Sequence, residues 1–64
     1  MSDYISLTEQ DEIVQNLLVK GKNFGELGTY LGKIPNDGRP CYVFESNHTD
    51  KFLRAEEVIK KLHL

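Results

Sequence analysis

The chain has 64 residues, of which 39% are hydrophobic and 28% charged, a composition typical of one small globular domain. Eight basic against ten acidic side chains give a formal net charge of −2, which excludes the strongly basic class of nucleic-acid-binding proteins. The single cysteine excludes an internal disulfide framework and a cysteine-based zinc site. No apolar run is long enough for a membrane span and the acidic start is unlike a signal peptide, so we expect a cytoplasmic protein.

The first predicted element is an amphipathic helix over residues 7–20. Ser6 and Glu9 fit a capping box at its start, and acidic residues follow where the helix dipole favours negative charge. Gly21 predicts its end, because glycine readily adopts the left-handed conformation that stops a helix. The predicted buried stripe comprises Ile13, Val14, Leu17 and Leu18.

Residues 23–34 are ambiguous, because three glycines disfavour a helix while the residues around them favour a strand. Asp37-Gly38 then precedes the strand-like run 41–44, and this dipeptide between two such runs predicts a β-hairpin. We predict strands over about 27–34 and 40–46, with a short helix as the alternative for the first. The turn pairs Ile34 with Cys41, Lys33 with Tyr42, Gly32 with Val43 and Leu31 with Phe44.

Both faces of the predicted hairpin are apolar. One carries Tyr30, Ile34, Cys41 and Val43, and the other carries Leu27, Leu31, Tyr42 and Phe44 together with Lys33. We therefore expect both faces to be covered, either by helices on opposite sides or by a second copy of the chain.

The remaining residues predict a third strand and a last helix. Residues 51–54 are interpreted as a strand, with the first turn of the helix as the alternative, and the helix covers about 55–63. The prediction is a single small α+β domain of order α-β-β-(β)-α. Its antiparallel hairpin or three-stranded sheet is packed by an N-terminal and a C-terminal helix.

No pattern of residues indicates catalysis. Cys41 is expected to be a buried apolar residue, and His48 and His63 lie in no motif. The adjacent acids Asp11-Glu12 and Glu56-Glu57 are assigned to solvated helix faces. Two isolated histidines are too few for a metal site, and no phosphate-binding glycine motif is present. We expect no enzyme activity, no metal and no cofactor.

Three segments resemble DNA-binding domains. Residues 7–33, LTEQDEIVQNLLVKGKNFGELGTYLGK, resemble the first two helices of the helix-turn-helix in response-regulator DNA-binding domains. Residues 33–46, KIPNDGRPCYVFES, are similar to the wing of phage excisionases, and residues 54–62, RAEEVIKKL, resemble a closing helix also found in Cro-type repressors. The resemblance implies an alternative reading, a winged helix-turn-helix regulator that binds nucleic acid weakly. Its phosphate contacts would be Lys22, Lys33 and Arg39.

The leading hypothesis is a small non-enzymatic regulatory or inhibitory module that acts by binding a partner protein, with a homodimer as one form. It follows from the two-faced hairpin, because an apolar patch on a small domain is typical of a protein contact. The predicted partner-binding residues are the aromatic and basic side chains of the hairpin: Tyr30, Lys33, Arg39, Tyr42 and Phe44.

Overall fold

The computed structural model of the protein describes residues 7–64. The elements are helix α1 (Glu9–Leu17), a 3₁₀ turn (Gly25–Leu27), strands β1 (Thr29–Asn36), β2 (Arg39–Ser46) and β3 (Thr49–Leu53), and helix α2 (Ala55–Leu62). The strands form one antiparallel sheet of order β1-β2-β3. The predicted α+β class and α-β-β-β-α order are confirmed, and the alternative for residues 51–54 resolves in favour of a strand. Among the described residues, no helix has the length and apolar character of a membrane span.

Helix α1 begins and ends inside its predicted limits of 7–20. Its N-cap is Thr8, whose hydroxyl accepts a hydrogen bond from the Asp11 backbone N–H at 3.1 Å, while the Asp11 carboxylate accepts one from the Thr8 N–H at 3.0 Å. The predicted capping box paired Glu9 with Ser6, which lies outside the described residues. In the structure Thr8 and Asp11 form the capping box instead, so the prediction that Glu9 completes it is wrong. The helix stops before Leu18, whose backbone is extended (φ −78°, ψ 131°), and therefore well before Gly21.

The β1–β2 hairpin forms around the predicted turn. Asp37 and Gly38 have φ angles of 52° and 76°, the positive pair that a type I′ turn needs. The predicted pairs Ile34–Cys41, Lys33–Tyr42 and Gly32–Val43 are confirmed.

The fourth predicted pair is wrong, because β1 carries a bulge at Leu31. Phe44 lies opposite Tyr30 instead of Leu31, and the register shifts between Tyr30 and Gly32. An extra residue in one strand reverses the alternation of side chains beyond it. Tyr30 therefore lies on the same face as Tyr42 and Phe44, and its predicted placement with Ile34 on the opposite face is also wrong.

Both helices pack against one face of the sheet. The core joins α1 and α2 to the aromatic residues of the strands, and consists of Val14, Leu18, Leu27, Tyr30, Tyr42, Phe44, Ala55 and Val58. Phe24 packs edge-on against Phe44, with ring centroids 6.2 Å apart. The expectation that both faces are covered therefore holds for one face within the described chain. The other face carries Ile34, Cys41, Val43 and Phe52.

Candidate partner-binding site

The three aromatic residues predicted to bind a partner lie in the core. Tyr42 and Phe44 are fully buried, and Tyr30 is 7% exposed. The ring centroid of Tyr30 lies 5.3 Å from that of Phe44 and 6.5 Å from that of Tyr42. Tyr42 and Phe44 are buried because they lie on the face that the helices cover, and the bulge in β1 turns Tyr30 onto the same face. Tyr42 and Phe44 therefore stabilise the fold from within the core, while Tyr30 also contributes to the lining of a cleft described below.

Arg39, predicted as an interface anchor and as a phosphate contact, is engaged within the domain. Its Nη2 lies 3.4 Å from Asp11 Oδ2 and 3.1 Å from Glu56 Oε2. The guanidinium thus joins the first turns of both helices to the start of β2. The hydrogen bond that Arg39 donates lowers the pKa of Glu56, so the pair stays charged at neutral pH.

Asp11 is fully buried, which corrects its assignment to a solvated helix face. Its carboxylate accepts hydrogen bonds from the Thr8 N–H and hydroxyl, both at 3.0 Å, and from the Tyr42 hydroxyl at 3.1 Å, in addition to Arg39. The Tyr42 hydroxyl in turn accepts one from Gln15 Nε2 at 3.2 Å. The spacing of Thr8 and Asp11, which also fits a capping box, was the signal in the sequence that could have identified this residue.

The pKa shifts of this network have the signs expected of a structural cluster. Burial would raise the pKa of Asp11, but the hydrogen bonds from Thr8, Tyr42 and Arg39 outweigh it and hold that pKa below its ordinary value. Burial raises the pKa of Tyr42 to about 12, so its hydroxyl remains a donor at neutral pH. The carboxylate is enclosed and already bonded, so the network orients and stabilises the fold.

The three basic residues that the nucleic-acid-binding hypothesis requires lie on separate elements. The Lys22 ammonium sits 5.4 Å from the centre of the Phe24 ring, a cation–π contact in the loop after α1. Lys33 is exposed on β1, and Arg39 on β2 is held by its two acids. Residues 25–33, where that reading needs a recognition helix, form a 3₁₀ turn and a strand. The winged helix-turn-helix alternative is therefore wrong as a fold.

The face of the sheet on which neither helix packs carries an apolar surface, here called the sheet strip: Ile34, Cys41, Val43 and Phe52. Ile34 lies opposite Cys41, and Phe52 lies opposite Val43, so the four side chains are neighbours on one face. Ile34 and Phe52 on the outer strands are 43% and 57% exposed, while Cys41 and Val43 on the central strand are buried. Sequence reasoning placed Ile34, Cys41 and Val43 on one face and did not include Phe52.

A cleft of about 630 Å³ lies beside the sheet strip, along β1. Two cationic side chains, Lys20 and Lys33, border it, and Gln15 and Tyr30 add polar groups. The other described residues of the lining are apolar or glycine, and none of the described residues lining the cleft is acidic. Lys33 is the predicted site residue that belongs to this cleft; Lys20 was not predicted, because its contact with β1 depends on the path of the chain after α1.

The titratable residues elsewhere in the described chain form no metal centre. No group of three potential metal-ligating side chains occurs within residues 7–64. His48 lies in the β2–β3 turn and His63 caps α2, each in a left-handed conformation and exposed.

Comparison with protein families, curated proteins and solved structures gives no significant match for the chain.

Proposed function

We propose that this protein is a non-enzymatic module that regulates or inhibits a partner protein by occupying its surface, and that it binds through the sheet strip. The observation that carries the proposal is the one-sided packing of the sheet. Both helices lie on the Tyr42 face, and the described chain leaves Ile34 and Phe52 open on the other. An apolar patch on a small domain, bordered by polar groups, is typical of a protein interface.

The sheet strip is held in a fixed shape, which favours binding because little ordering remains to be done on association. Arg54, between β3 and α2, donates through Nη1 to the carbonyl oxygens of Asn36, Arg39 and Pro40 at 3.1–3.3 Å, and through Nη2 to the Asn36 side chain at 3.1 Å. These bonds tie the end of β3 to the tip of the β1–β2 hairpin. These hydrogen bonds thus hold the strands that carry Ile34 and Phe52 in a fixed position relative to each other.

Charge at one end of the sheet strip favours a protein over a nucleic acid. Glu45 and Asp50 lie opposite each other on β2 and β3, two positions along the strands from the pair Val43–Phe52 and on the same face. The two carboxylates would repel a phosphate backbone there, whereas a folded protein partner can place lysine or arginine side chains at that end. The net charge of −2 acts in the same direction.

The test is affinity capture from the source cell with matched surface variants. The strip variant is Ile34→Ser with Phe52→Ser, and the control is Ile13→Ser, which alters an α1 side chain that is 51% exposed. We expect one partner retained by the wild-type protein and by the control, and reduced about tenfold or more by the strip variant. Circular dichroism checks that all three proteins are folded.

Two outcomes would overturn the proposal. A partner kept by the strip variant, or lost from the Ile13 control, would place the interface elsewhere. A dimer in light scattering that the strip variant converts to monomer would assign the strip to a second copy of the chain, against a heterologous partner.

A further inference from the structure

We propose that the cleft along β1 binds a carboxylate of the partner, presented on a short extended segment with apolar neighbours, between Lys20 and Lys33. This inference rests on the proposed function and names the chemistry of the partner. The acidic side chain would lie between the two ammonium groups, and its apolar neighbours would reach the sheet strip, which the cleft joins at Ile34 and Val43.

Lys20 crosses β1 at Gly32. A methyl group built on Gly32 would lie 3.8 Å from Lys20 Cε, an ordinary van der Waals contact, so the lysine stem rests over the strand at this point. Lys33 is the next residue of β1, and both lysines border the same cleft. A cation from the loop after α1 and a cation of the strand thus line the same cleft.

These two cations have no acidic partner in the part of the chain that the structure describes. The ion pairs found there belong to Arg39, which holds Asp11 and Glu56. Leu18, Leu31 and Val43 add apolar lining beside the two lysines, so the cleft offers contacts to the apolar neighbours of a carboxylate. Hydrogen bonds between an ammonium group and a carboxylate are stronger than those between neutral groups.

The outer edge of β1 favours an extended segment. Near its start this edge is already occupied: the Tyr30 N–H donates to the Lys22 carbonyl at 3.0 Å, and the Tyr30 carbonyl accepts from the Gly21 N–H at 2.8 Å. Beyond the bulge, alternation along an antiparallel strand directs the Lys33 N–H and carbonyl outward. Pro35 has no N–H and ends the run of donors. No backbone hydrogen bond from another described residue reaches this part of the edge, which therefore fits a segment of about three residues added as a short strand.

Nucleic acid is the competing ligand, because phosphate also binds lysine. Two lysines neutralise few phosphates, and apolar residues occupy the positions in the cleft where further basic side chains would be needed. A protein carboxylate with apolar neighbours satisfies both parts of the lining.

The experiment is an NMR titration of the ¹⁵N-labelled full chain with a probe peptide, acetyl-Val-Glu-Val-Glu-Val-amide. The control peptide replaces both glutamates by glutamine. We expect the glutamate peptide to shift the amides of Lys20, Gly32 and Lys33, and the glutamine peptide to bind about tenfold more weakly. Raising the salt concentration from about 50 to 300 mM should weaken only the glutamate peptide.

Two double variants locate the effect. Lys20→Ala with Lys33→Ala should weaken the glutamate peptide about tenfold, and Lys60→Ala with Lys61→Ala, which removes the same charge from exposed positions on α2, should leave it unchanged. Equal binding of the two peptides, shifts confined to other residues, or equal effects of the two variants would overturn the inference. So would a thymidine oligonucleotide of about twelve nucleotides that shifts the same amides at lower concentration than the peptide.

The two proposals fail separately. If capture of the partner is lost with the strip variant but kept by the Lys20/Lys33 variant, the sheet strip stands and the cleft assignment falls. If the peptide binds as described but no partner is captured, the carboxylate site stands and the proposed function falls.

Discussion

The substitution Tyr42→Phe tests whether the buried network around Asp11 holds the two layers of the domain together. The hydroxyl of Tyr42 donates to Asp11 Oδ1 at 3.1 Å and accepts from Gln15 Nε2 at 3.2 Å. Tyr42 lies on β2 and its two partners lie on α1. Phenylalanine keeps the ring and its packing against Tyr30, so the change removes only this link between sheet and helix.

The expected loss of stability is about 2 kcal/mol. A hydrogen bond to a charged group contributes about 1.5–3 kcal/mol. Asp11 keeps its bonds from Thr8 and Arg39, and the half-buried Gln15 can turn to water, so the cost stays within that range. A domain of 64 residues has a total stability of about 3–10 kcal/mol, so this is a large fraction.

Urea unfolding followed by far-ultraviolet circular dichroism measures the effect. With a slope of about 1 kcal/mol per molar urea, the midpoint should fall by about 2 M. The matched control is Tyr30→Phe, because the described part of the chain shows no hydrogen bond to the Tyr30 hydroxyl, and it should change stability by less than about 0.5 kcal/mol. A Tyr42→Phe protein as stable as the control would refute a stabilising role for the network.

Three further predictions concern the core and the turns. Hydrogen bonds outweigh burial and hold the pKa of Asp11 below its ordinary 3.8. The stabilisation by this carboxylate is therefore complete above pH 3.8 and is lost as the pH falls through the lower pKa of the folded state. The Asp11→Asn protein should have a smaller free energy of unfolding at pH 7, and this free energy should fall less than that of the wild type in acid unfolding below about pH 4. Gly28→Ala should lower the free energy of unfolding by about 3 kcal/mol or more, because φ is 94° and the new methyl group would collide with the Glu45 carbonyl. The control Gly25→Ala, in open space at φ 69°, should lower it by about 1 kcal/mol. Equal losses in thermal or urea unfolding would contradict this. Cys41, 7% exposed, should react with Ellman's reagent about a hundredfold more slowly in the native protein than in urea, and fast native labelling would show that its strand opens readily.

The order of elements and the hairpin could be predicted because local chemistry determines them. Asp37-Gly38 supplies the positive φ angles of the turn, and a two-residue turn fixes the pairing of the residues next to it. Three pairs from Ile34 to Gly32 therefore follow from the sequence. The start of α1 was less certain, since both Ser6 and Thr8 head a capping pattern, and the choice depends on Asp11 finding Tyr42 and Arg39, which are distant in sequence.

Tyr30 was assigned to the wrong face of the hairpin for a reason that lies in β1. Counting from the turn, regular alternation assigns Tyr30 to the face of Ile34 and exposes aromatic residues on a two-faced ribbon. The bulge at Leu31 adds one residue, sends the Tyr30 ring into the core 5.3 Å from Phe44, and leaves Leu31 39% exposed. A bulge is selected by packing on both sides of a sheet, so neighbouring residues alone do not predict it.

The same bulge links the fold to the proposed site. With Tyr30 turned inward, its ring packs in the core and also contributes to the lining of the cleft, which Leu31 and Gly32 line as well. Moving the bulge would therefore alter the core and the cleft together. The proposed partner binding and the stability would be coupled at this point of β1, whereas Ile34 and Phe52, 43% and 57% exposed, can be changed at the surface with little effect on the core. That difference is why the strip variant can test binding in a protein that remains folded.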